Sequence, residues 1–332
     1  MEKAKLEGHN EPPRGRAVEY CTSVHNKTLS RIVMGTMIIG LTNYEESTAL
    51  LDDAMAIGIN ALDIAWVYGG GDSERAIGRW MNERKNREQV FIITKGAHHN
   101  RDRARVTPYD ITADLMDSLA RLQTDYIDLY LLHRDDTSRP VGPIVEILNE
   151  HMKAGYIRGF GGSNWTCERI AEANAYACEK NLIPMTASSP NYGLCEQVSD
   201  PWGPGCTTIS GPKEAVSREF YKEQKIPVFA YSSLGRGMLS GKVTRENYKE
   251  LLDQAALTAY AHEVNFKKLD RVRRIADEKG VTIPQIALAY ILNQSIDVFP
   301  IVGAASKKEL EEAAAATKID LSAEECKWLG GD

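Results

Sequence analysis

The chain has 332 residues, of which 40 are basic and 46 acidic, so its formal net charge is −6. Hydrophobic residues make up 43% and charged residues 26%; these are ordinary values for a globular protein and exclude a disordered or collagenous chain. The acidic balance argues against a nucleic-acid-binding protein, because such proteins usually present a basic surface.

Short apolar segments alternate with longer amphipathic segments from residue 31 onward. The short segments are rich in valine and isoleucine, which is typical of strands buried on both faces. They span residues 31–36, 59–65, 90–96, 126–133, 156–164, 185–189, 227–233 and 297–303. Helix candidates follow them at residues 45–58, 73–84, 110–122, 145–155, 168–180, 213–223, 266–280 and 307–316. Several helix candidates close with glycine, the residue preferred just past a helix end.

Eight strands that alternate with eight helices predict a single-domain α/β protein, a (β/α)8 TIM barrel. The alternative, a doubly wound open sheet with a second domain, would carry a GxGxxG motif after its first strand. The chain instead reads RIVMGTMIIGLTN there. We expect residues 1–17 to form an N-terminal tail and residues 18–330 the barrel, with a Pro- and Gly-rich insertion near residues 194–212.

The cysteines show neither a CxxC pair nor the Cys/His spacing of a metal site. They are Cys21, Cys167, Cys178, Cys195, Cys206 and Cys326. We interpret them as free thiols in a reducing compartment and predict no metal. The first residues lack the apolar core of a signal peptide, and no apolar run approaches the ~18 residues of a membrane span. The sequence therefore predicts a cytoplasmic protein that is not bound to a membrane.

Polar residues stand where three consecutive strand candidates end. Asp63 and Tyr68 follow the second strand, Lys95 ends the third and His133 ends the fourth. Neighbouring strands lie ~4.8 Å apart, and the active residues of a barrel lie at the carboxyl ends of its strands. Lys95 ends an apolar strand and needs an anionic partner there, for which Asp63 is the natural candidate. Each residue alone has a structural interpretation, such as a helix cap or a core histidine, but their convergence indicates a site.

Several motifs then resemble one family. DIAWVYGGGDSE at residues 63–74 resembles the D-x-A-x-x-Y-G-x-G-x-S-E signature of the aldo-keto reductases, and ITKG at 93–96 and LLHR at 131–134 match their lysine and histidine motifs in order. Later blocks are also similar: GFGGSNW at 159–165, YSSLGRGMLSG at 231–241 and IPQIALAYIL at 283–292. The resemblance covers residues 18–330 and implies hydride transfer between a nicotinamide cofactor and a carbonyl compound.

The resemblance implies a catalytic tetrad of Asp63, Tyr68, Lys95 and His133. Tyr68 would be the general acid that protonates the carbonyl oxygen, and His133 would orient and polarise the carbonyl group. Because a free phenol has a pKa near ~10, we expect the Lys95 cation to lower the pKa of Tyr68, with Asp63 holding the lysine in place.

The resemblance also implies where the cofactor binds. Ser163 and Asn164 match the pair that hydrogen-bonds the carboxamide, and Tyr231 matches the aromatic residue that stacks on the nicotinamide ring. Ser189 stands where the family usually has a glutamine, the third carboxamide contact. Further contacts are expected from the segment after the first strand and from the pyrophosphate loop. These are Gly35, Thr36, Met37, Ser232, Ser233, Leu234, Gly235, Arg236 and Gly237.

The segment after the eighth strand departs from the family pattern at the adenosine end of the cofactor. Ala305 replaces an arginine, Glu309 a glutamine or arginine, and Ala313 an asparagine. A glutamate repels a phosphate but accepts a hydrogen bond from a ribose hydroxyl, whereas Lys307 or Lys308 can still supply positive charge. The resemblance favours NADP(H), and these replacements leave NAD(H) or dual use open. The expected contacts are Gly303, Ser306, Lys307 and Glu309.

Trp66, Trp165 and Trp202 lie in loops at the predicted mouth and suit a flat or sugar-like substrate that stacks on aromatic rings. The predicted function is an NAD(P)H-dependent aldo-keto reductase or alcohol dehydrogenase that interconverts an aldehyde or ketone and its alcohol, with a slight preference for sugar-derived or other polar carbonyls. A cofactor-binding regulatory or redox-sensing barrel is one alternative, but it has no need of Tyr68 beside Lys95. A barrel lyase with a Schiff-base lysine is another, which Asp63 disfavours because it keeps the lysine charged. The oligomeric state stays open.

Overall fold

Eight parallel strands close into a barrel in the computed structural model, which describes residues 20–21 and 27–331. The predicted tail, residues 1–17, lies outside the described residues. A short hairpin of β1 (Tyr20–Cys21) and β2 (Leu29–Ser30) precedes the barrel. The barrel strands are β3 (Val33–Gly35), β4 (Ala61–Asp63), β5 (Phe91–Gly96), β6 (Leu129–Leu132), β7 (Phe160–Ser163), β8 (Ala187–Ser189), β9 (Val228–Ala230) and β10 (Val298–Gly303).

The barrel confirms the predicted fold class. Each of the eight predicted strand segments contains one barrel strand, in the predicted order. The barrel closes because β10 pairs in parallel with β3, with Val302 opposite Met34. This pairing excludes the alternative of an open, doubly wound sheet, whose edge strands stay unpaired.

Helices surround the barrel, and their ends follow from local chemistry. The Thr107 side chain accepts a hydrogen bond from the Asp110 amide and caps one helix, while Gly58 and Gly155 end two others in the left-handed conformation. The helices are α1 (Tyr44–Ile57), α2 (Asp72–Arg84), α3 (Pro108–Leu122), α4 (Val141–Ala154), α5 (Cys167–Glu179), α6 (Ala215–Gln224), α7 (Tyr248–Leu251), α8 (Gln254–Tyr260), α9 (Glu263–Lys279), α10 (Ile283–Leu292), α11 (Lys307–Ala315) and α12 (Ala323–Gly330).

Four of these helices were not predicted, namely α7, α8, α10 and α12. Helix α10 is apolar on nearly all sides and is buried in a cluster shared with α8, α9 and α12. A helix buried all round lacks the polar face that gives the amphipathic period, so its sequence does not distinguish it from a loop or a strand. Within the described part of the chain, no helix is long and apolar enough to cross a membrane.

The interior of the barrel is packed with apolar side chains and is closed at its amino-terminal end. Phe229 and Phe299 stack there with their ring centroids 4.9 Å apart, and Leu29 of the hairpin packs into the same cluster. The Asn60 side chain accepts a hydrogen bond from the Ser30 amide at 2.8 Å and so ties the hairpin to the barrel. Polar groups inside the barrel are therefore left to its carboxyl end, as in other barrels of this class.

Helices α2 and α3 pack closely at Gly78, which yields a test of the packing. A Cβ atom at Gly78 would lie 2.4 Å from the Arg121 carbonyl oxygen. We expect Gly78→Ala to lower the free energy of unfolding by about 1–3 kcal/mol, because overpacking against backbone outweighs the gain of about 1 kcal/mol in helix propensity. Urea unfolding measures the change, and Asn82→Ala on the exposed face of the same helix is the control. A Gly78→Ala protein as stable as the wild type would contradict this packing.

Candidate active site

The four residues predicted to form the tetrad come together at the carboxyl end of the barrel. Asp63 and Lys95 lie in neighbouring strands β4 and β5, Tyr68 lies in the turn after β4, and His133 follows β6. All four line one cavity of about 1330 Å³. Because the barrel interior below is filled, this cavity is where polar groups and a ligand can meet.

Asp63 and Lys95 form a buried ion pair. The Lys95 Nζ lies 2.7 Å from Asp63 Oδ1, and each residue is 2% exposed. The same ammonium donates to the Ile64 carbonyl at 3.0 Å and to the Tyr68 hydroxyl at 3.2 Å. Burial by itself lowers the pKa of Lys95, but the charge of Asp63 and the contact with Tyr68 raise it above the usual value. Lys95 is therefore held as a cation.

The Tyr68 hydroxyl lies against this pair. It accepts a hydrogen bond from Lys95 and donates to Asp63 Oδ2 at 3.4 Å. Burial raises the pKa of Tyr68, and the charge of Lys95 offsets that effect only in part. Lys95 thus acts on the pKa of Tyr68 in the expected direction, but desolvation and the negative Asp63 outweigh it, so that this pKa lies above that of a free phenol. The phenol stays protonated at neutral pH.

His133 is neutral in this site. Burial lowers its pKa well below the usual value, and the nearby Lys95 and His98 lower it further. Its ring meets Tyr68 edge-on, with centroids 6.3 Å apart, and meets His98 at 4.9 Å. His98 was not predicted from the sequence, although its position three residues after Lys95 was a usable signal. A neutral imidazole can donate a hydrogen bond to a carbonyl oxygen or accept one from an alcohol.

The predicted carboxamide pair lies in the cavity wall, but its groups already bond within the chain. The Ser163 hydroxyl donates to the Ser189 carbonyl at 2.9 Å. The Asn164 Oδ1 accepts from the Tyr231 hydroxyl at 2.8 Å and from the Thr207 amide at 3.1 Å. The Ser189 side chain is fully buried and lies outside the cavity wall. The prediction of Ser189 as the third carboxamide contact is therefore corrected, because its side chain is not part of the cavity lining.

The loop after β9 presents backbone N–H groups to the cavity. Ser232 and Arg236 adopt the left-handed conformation, with φ values of 53° and 51°. Among the described residues, the amides of Leu234 and Gly237 find no hydrogen-bond acceptor, and both residues line the cavity. Such a concave array of N–H groups binds anions. Ser232 and Ser233 line the cavity, whereas Gly235 lies outside its lining and faces Cys195.

Arg236 joins the rim of the cavity to the predicted insertion. Its guanidinium lies 2.7 Å from Asp253 Oδ2 and 5.2 Å from the ring centroid of Trp202. Trp202 in turn lies against Tyr231, with ring centroids 6.0 Å apart. This connected set, Trp202–Arg236–Asp253, is called the rim bridge below.

The segment after β3 contributes two of its three predicted residues. Gly35 and Met37 line the cavity. Thr36 does not, because its hydroxyl is buried and donates to the Asp63 carbonyl at 2.8 Å. The prediction of Thr36 as a cofactor contact is thus corrected: its side chain supports β4, which carries Asp63.

The far end of the cavity has charges of both signs. Gly303, Ser306 and Glu309, three of the predicted cofactor contacts, line it, but Lys307 is outside it, with its Nζ 3.4 Å from Asp53. Glu309 accepts from the Ala305 amide at 2.8 Å and from Lys242 Nζ at 3.1 Å. These bonds lower the pKa of Glu309 despite partial burial. Further charged side chains line this end of the cavity, namely Lys242, Arg273, Asp277, Lys308 and Glu312. Of these, only Lys308 was named from the sequence.

One of the three predicted substrate-stacking tryptophans reaches the cavity. Trp202 lines it and is 42% exposed. Trp165 is 1% exposed, packs in the apolar layer outside the strands and donates from Nε1 to the Arg134 carbonyl at 3.2 Å. Trp66 is half-buried and also lies outside the cavity wall. The prediction for Trp165 is corrected because its indole packs in the core, and Trp66 is not part of the cavity lining.

Comparison with known proteins gives the family. The model of the Aldo/keto reductase family matches residues 31–329. The aldo-keto reductase YhdN of Bacillus subtilis is 31% identical over 90% of this chain and 88% of its own length. The NADP(+) aldo-keto reductase yakc of Schizosaccharomyces pombe is 30% identical over 90% of this chain and 87% of its own. This chain belongs to the aldo/keto reductase family.

A solved structure shares the architecture. The thermostable aldo-keto reductase Tm1743, crystallised in complex with the inhibitor epalrestat, superposes with a TM-score of 0.71 and 26% identity. The match covers 94% of this chain and 98% of that one. The resemblance stated from the motifs is therefore confirmed, both for the family and for its barrel.

The buried ion pair yields a test. Lys95→Met leaves the Asp63 carboxyl buried without its cation, and we expect a loss of about 3–5 kcal/mol in the free energy of unfolding at neutral pH. Burial raises the pKa of Asp63, so without Lys95 the folded variant binds a proton that the unfolded chain has already lost. Its stability therefore rises as the pH falls, and urea unfolding near about pH 5.5 and about pH 8 measures the difference.

The matched control for that test is the double variant Asp63→Asn/Lys95→Met. It has no buried carboxylate, so it should regain part of the lost stability and show a smaller difference between the two pH values. An equal loss for the single variant at both pH values would contradict the assignment of an unpaired carboxyl as the cause.

Proposed function

We propose that this protein is an NAD(P)H-dependent oxidoreductase that interconverts an aldehyde or ketone and its alcohol, with Tyr68 as the general acid and base. The observation that carries the proposal is the half-buried Tyr68 hydroxyl, which lies 3.2 Å from the Lys95 ammonium at the wall of a large cavity. The family relatives are named as reductases, which supports the same activity.

The cavity fits a dinucleotide cofactor. It runs from the tetrad to α11 and meets the free N–H groups of Leu234 and Gly237 on the way. At Gly303 an added Cβ would find no atom within 4 Å, so the backbone there is open to a ligand. When bound, the cofactor would supply or take up the hydride. Ser163 and Asn164 would hold its carboxamide, the 232–237 loop its pyrophosphate and Ser306 its adenosine end.

The proton then moves at the Tyr68 oxygen. In reduction, Tyr68 donates its proton to the carbonyl oxygen, and the phenolate that forms faces Lys95 at 3.2 Å. The lysine charge is stabilising at that moment because it opposes the desolvation that disfavours phenolate. Asp63 keeps the ammonium in position, and neutral His133 orients the carbonyl by a hydrogen bond. In alcohol oxidation, the same groups act in the reverse order.

We therefore propose an aldehyde or ketone as the substrate, without a preference for sugar-derived compounds. The preference for a sugar-derived substrate depended on three stacking tryptophans, and only Trp202 lies at the cavity. One exposed indole beside Tyr231 suits many carbonyl compounds with an apolar face.

Removal of the Tyr68 hydroxyl tests the proposed acid. Tyr68→Phe should lower kcat at least ~10²-fold, because the proton donor is lost. The dissociation constant of the cofactor should stay nearly constant, since the phenyl ring is kept. Cofactor absorbance follows turnover, and fluorescence titration follows binding. Tyr44→Phe, which removes a hydroxyl bonded to Glu83 at 2.8 Å on the outer helices, is the matched control. Near wild-type turnover of Tyr68→Phe would overturn the assignment.

Cofactor choice follows from the mixed charges at the far end of the cavity. Lys242 is paired with Glu309, Lys307 is turned towards Asp53, and Glu312 adds negative charge. A charge-assisted contact to a phosphate is worth about 1.5–3 kcal/mol, or roughly tenfold or more in affinity. With part of the positive charge neutralised, we propose use of NADP(H) with a weak preference and measurable turnover with NAD(H).

The ratio of kcat/KM for NADPH and NADH measures that preference. We expect a wild-type ratio below about 10³, and we expect Glu309→Arg to raise it about tenfold by replacing a negative with a positive charge. Glu311→Arg is the control, because Glu311 lies on the same helix but outside the cavity wall. A wild-type ratio above about 10³, or an equal response to both substitutions, would contradict the proposal.

A further inference from the structure

A second cavity of about 360 Å³ lies beside the first. Its walls come from the loop after β5, the loop after β6 and the insertion. His99, Arg134 and Asn164 line both cavities. Arg134 directly follows His133, so the side cavity begins where the proposed reaction site ends. None of the residues that line only this cavity belongs to the tetrad or to the proposed cofactor contacts.

Three buried donor groups in this wall have no acceptor. Across the described residues, Arg105 Nε, Arg134 Nε and Thr207 Oγ1 are each buried without a hydrogen-bond partner, and all three residues line the side cavity. Buried polar groups in folded proteins are nearly always paired, because an unmet donor is costly. Because all three residues border the side cavity, a ligand there would lie next to polar side chains whose hydrogen-bonding capacity the protein does not use fully.

The charges identify the ligand as an anion. Arg105 is compensated, since it forms ion pairs with Asp110 at 3.1 Å and with Asp114. Arg134 forms no ion pair with any described residue, and the adjacent Asp135 is instead held by Arg169 at 3.0 Å. The Arg134 charge is therefore the uncompensated one at the junction of the two cavities. A half-buried guanidinium without a carboxylate attracts one from the ligand.

We propose that Arg134, with Thr207 and Arg105, binds the terminal carboxylate of an acidic carbonyl substrate whose aldehyde or ketone group lies at Tyr68 and His133. The substrate class is thus an oxo acid, and the proposal rests on the proposed reductase function. A carboxylate matches the planar guanidinium fork with two oxygens. A phosphate monoester fits less well, because its second negative charge would face Asp135 in the same wall.

The experiment compares linear aldehydes that end in a carboxylate with their methyl esters, in a series of increasing chain length. We expect the wild type to prefer the acid at least about tenfold in kcat/KM at the best length, mostly through KM. Arg134→Met should lower the acid-to-ester ratio about tenfold. The control is Arg139→Met, which removes an arginine of the same loop whose side chain is 57% exposed and outside both cavities; its ratio should stay at the wild-type value.

A second variant and a binding measurement guard against a folding defect. Thr207→Val keeps the shape of the side chain and removes one unmet donor, and it should lower the ratio several-fold. Calorimetric titration of the full chain with glutarate should show binding that Arg134→Met weakens about tenfold, whereas uncharged glutaramide should not bind. Equal use of acid and ester by the wild type, an unchanged ratio in Arg134→Met, or preference for an aldehyde phosphate would each overturn the proposal. If neither acid nor ester is reduced, the reductase function fails, and glutarate binding still decides whether Arg134 holds a carboxylate.

Discussion

The ion pair of Asp63 and Lys95 is the interaction on which the site depends. An isolated charge at this depth would be expelled or neutralised. Here the two opposite charges stabilise each other, because Lys95 Nζ lies 2.7 Å from Asp63 Oδ1. The barrel makes this feasible, because two adjacent parallel strands end side by side and present their last side chains to the same cavity. Once the pair is buried, its one remaining polar contact within the tetrad is the Tyr68 hydroxyl. The acid–base behaviour of the Tyr68 hydroxyl is therefore set by the ion pair.

The strand pattern and the strand-end residues were sufficient to predict the barrel and the convergence of four polar side chains at its carboxyl end. Both follow from short-range rules: buried parallel strands are apolar, and polar residues gather where those strands end. The register of β5 on β4 then determines that Lys95 meets Asp63. These features could be predicted because they depend on the periodicity of the chain and on topology, not on the path of any long loop.

The features that the sequence did not predict correctly depend on the paths of loops and the directions of side chains. Trp165 looked like a mouth residue because it follows Asn164, but the left-handed Asn164, with φ of 60°, redirects the chain and sends the indole into the core. Lys307 was predicted as a cofactor contact, but it forms an ion pair with Asp53 of α1, a residue distant in sequence. The direction of the Tyr68 pKa shift likewise required the degree of burial, which a motif does not contain.

The rim bridge has a consequence for the response of this protein to acid. Asp253 has two partners: it binds Arg236 at the cavity rim, and it caps α8 by accepting from the Ala256 amide at 2.8 Å. The hydrogen bond from Arg236 holds the pKa of Asp253 below its usual value. The ionised carboxylate therefore stabilises the fold at neutral pH, and this stabilisation is lost as the pH falls through the lowered pKa. Protonation of Asp253 therefore removes the ion pair with Arg236 and weakens the amino-terminal cap of α8 in the same step.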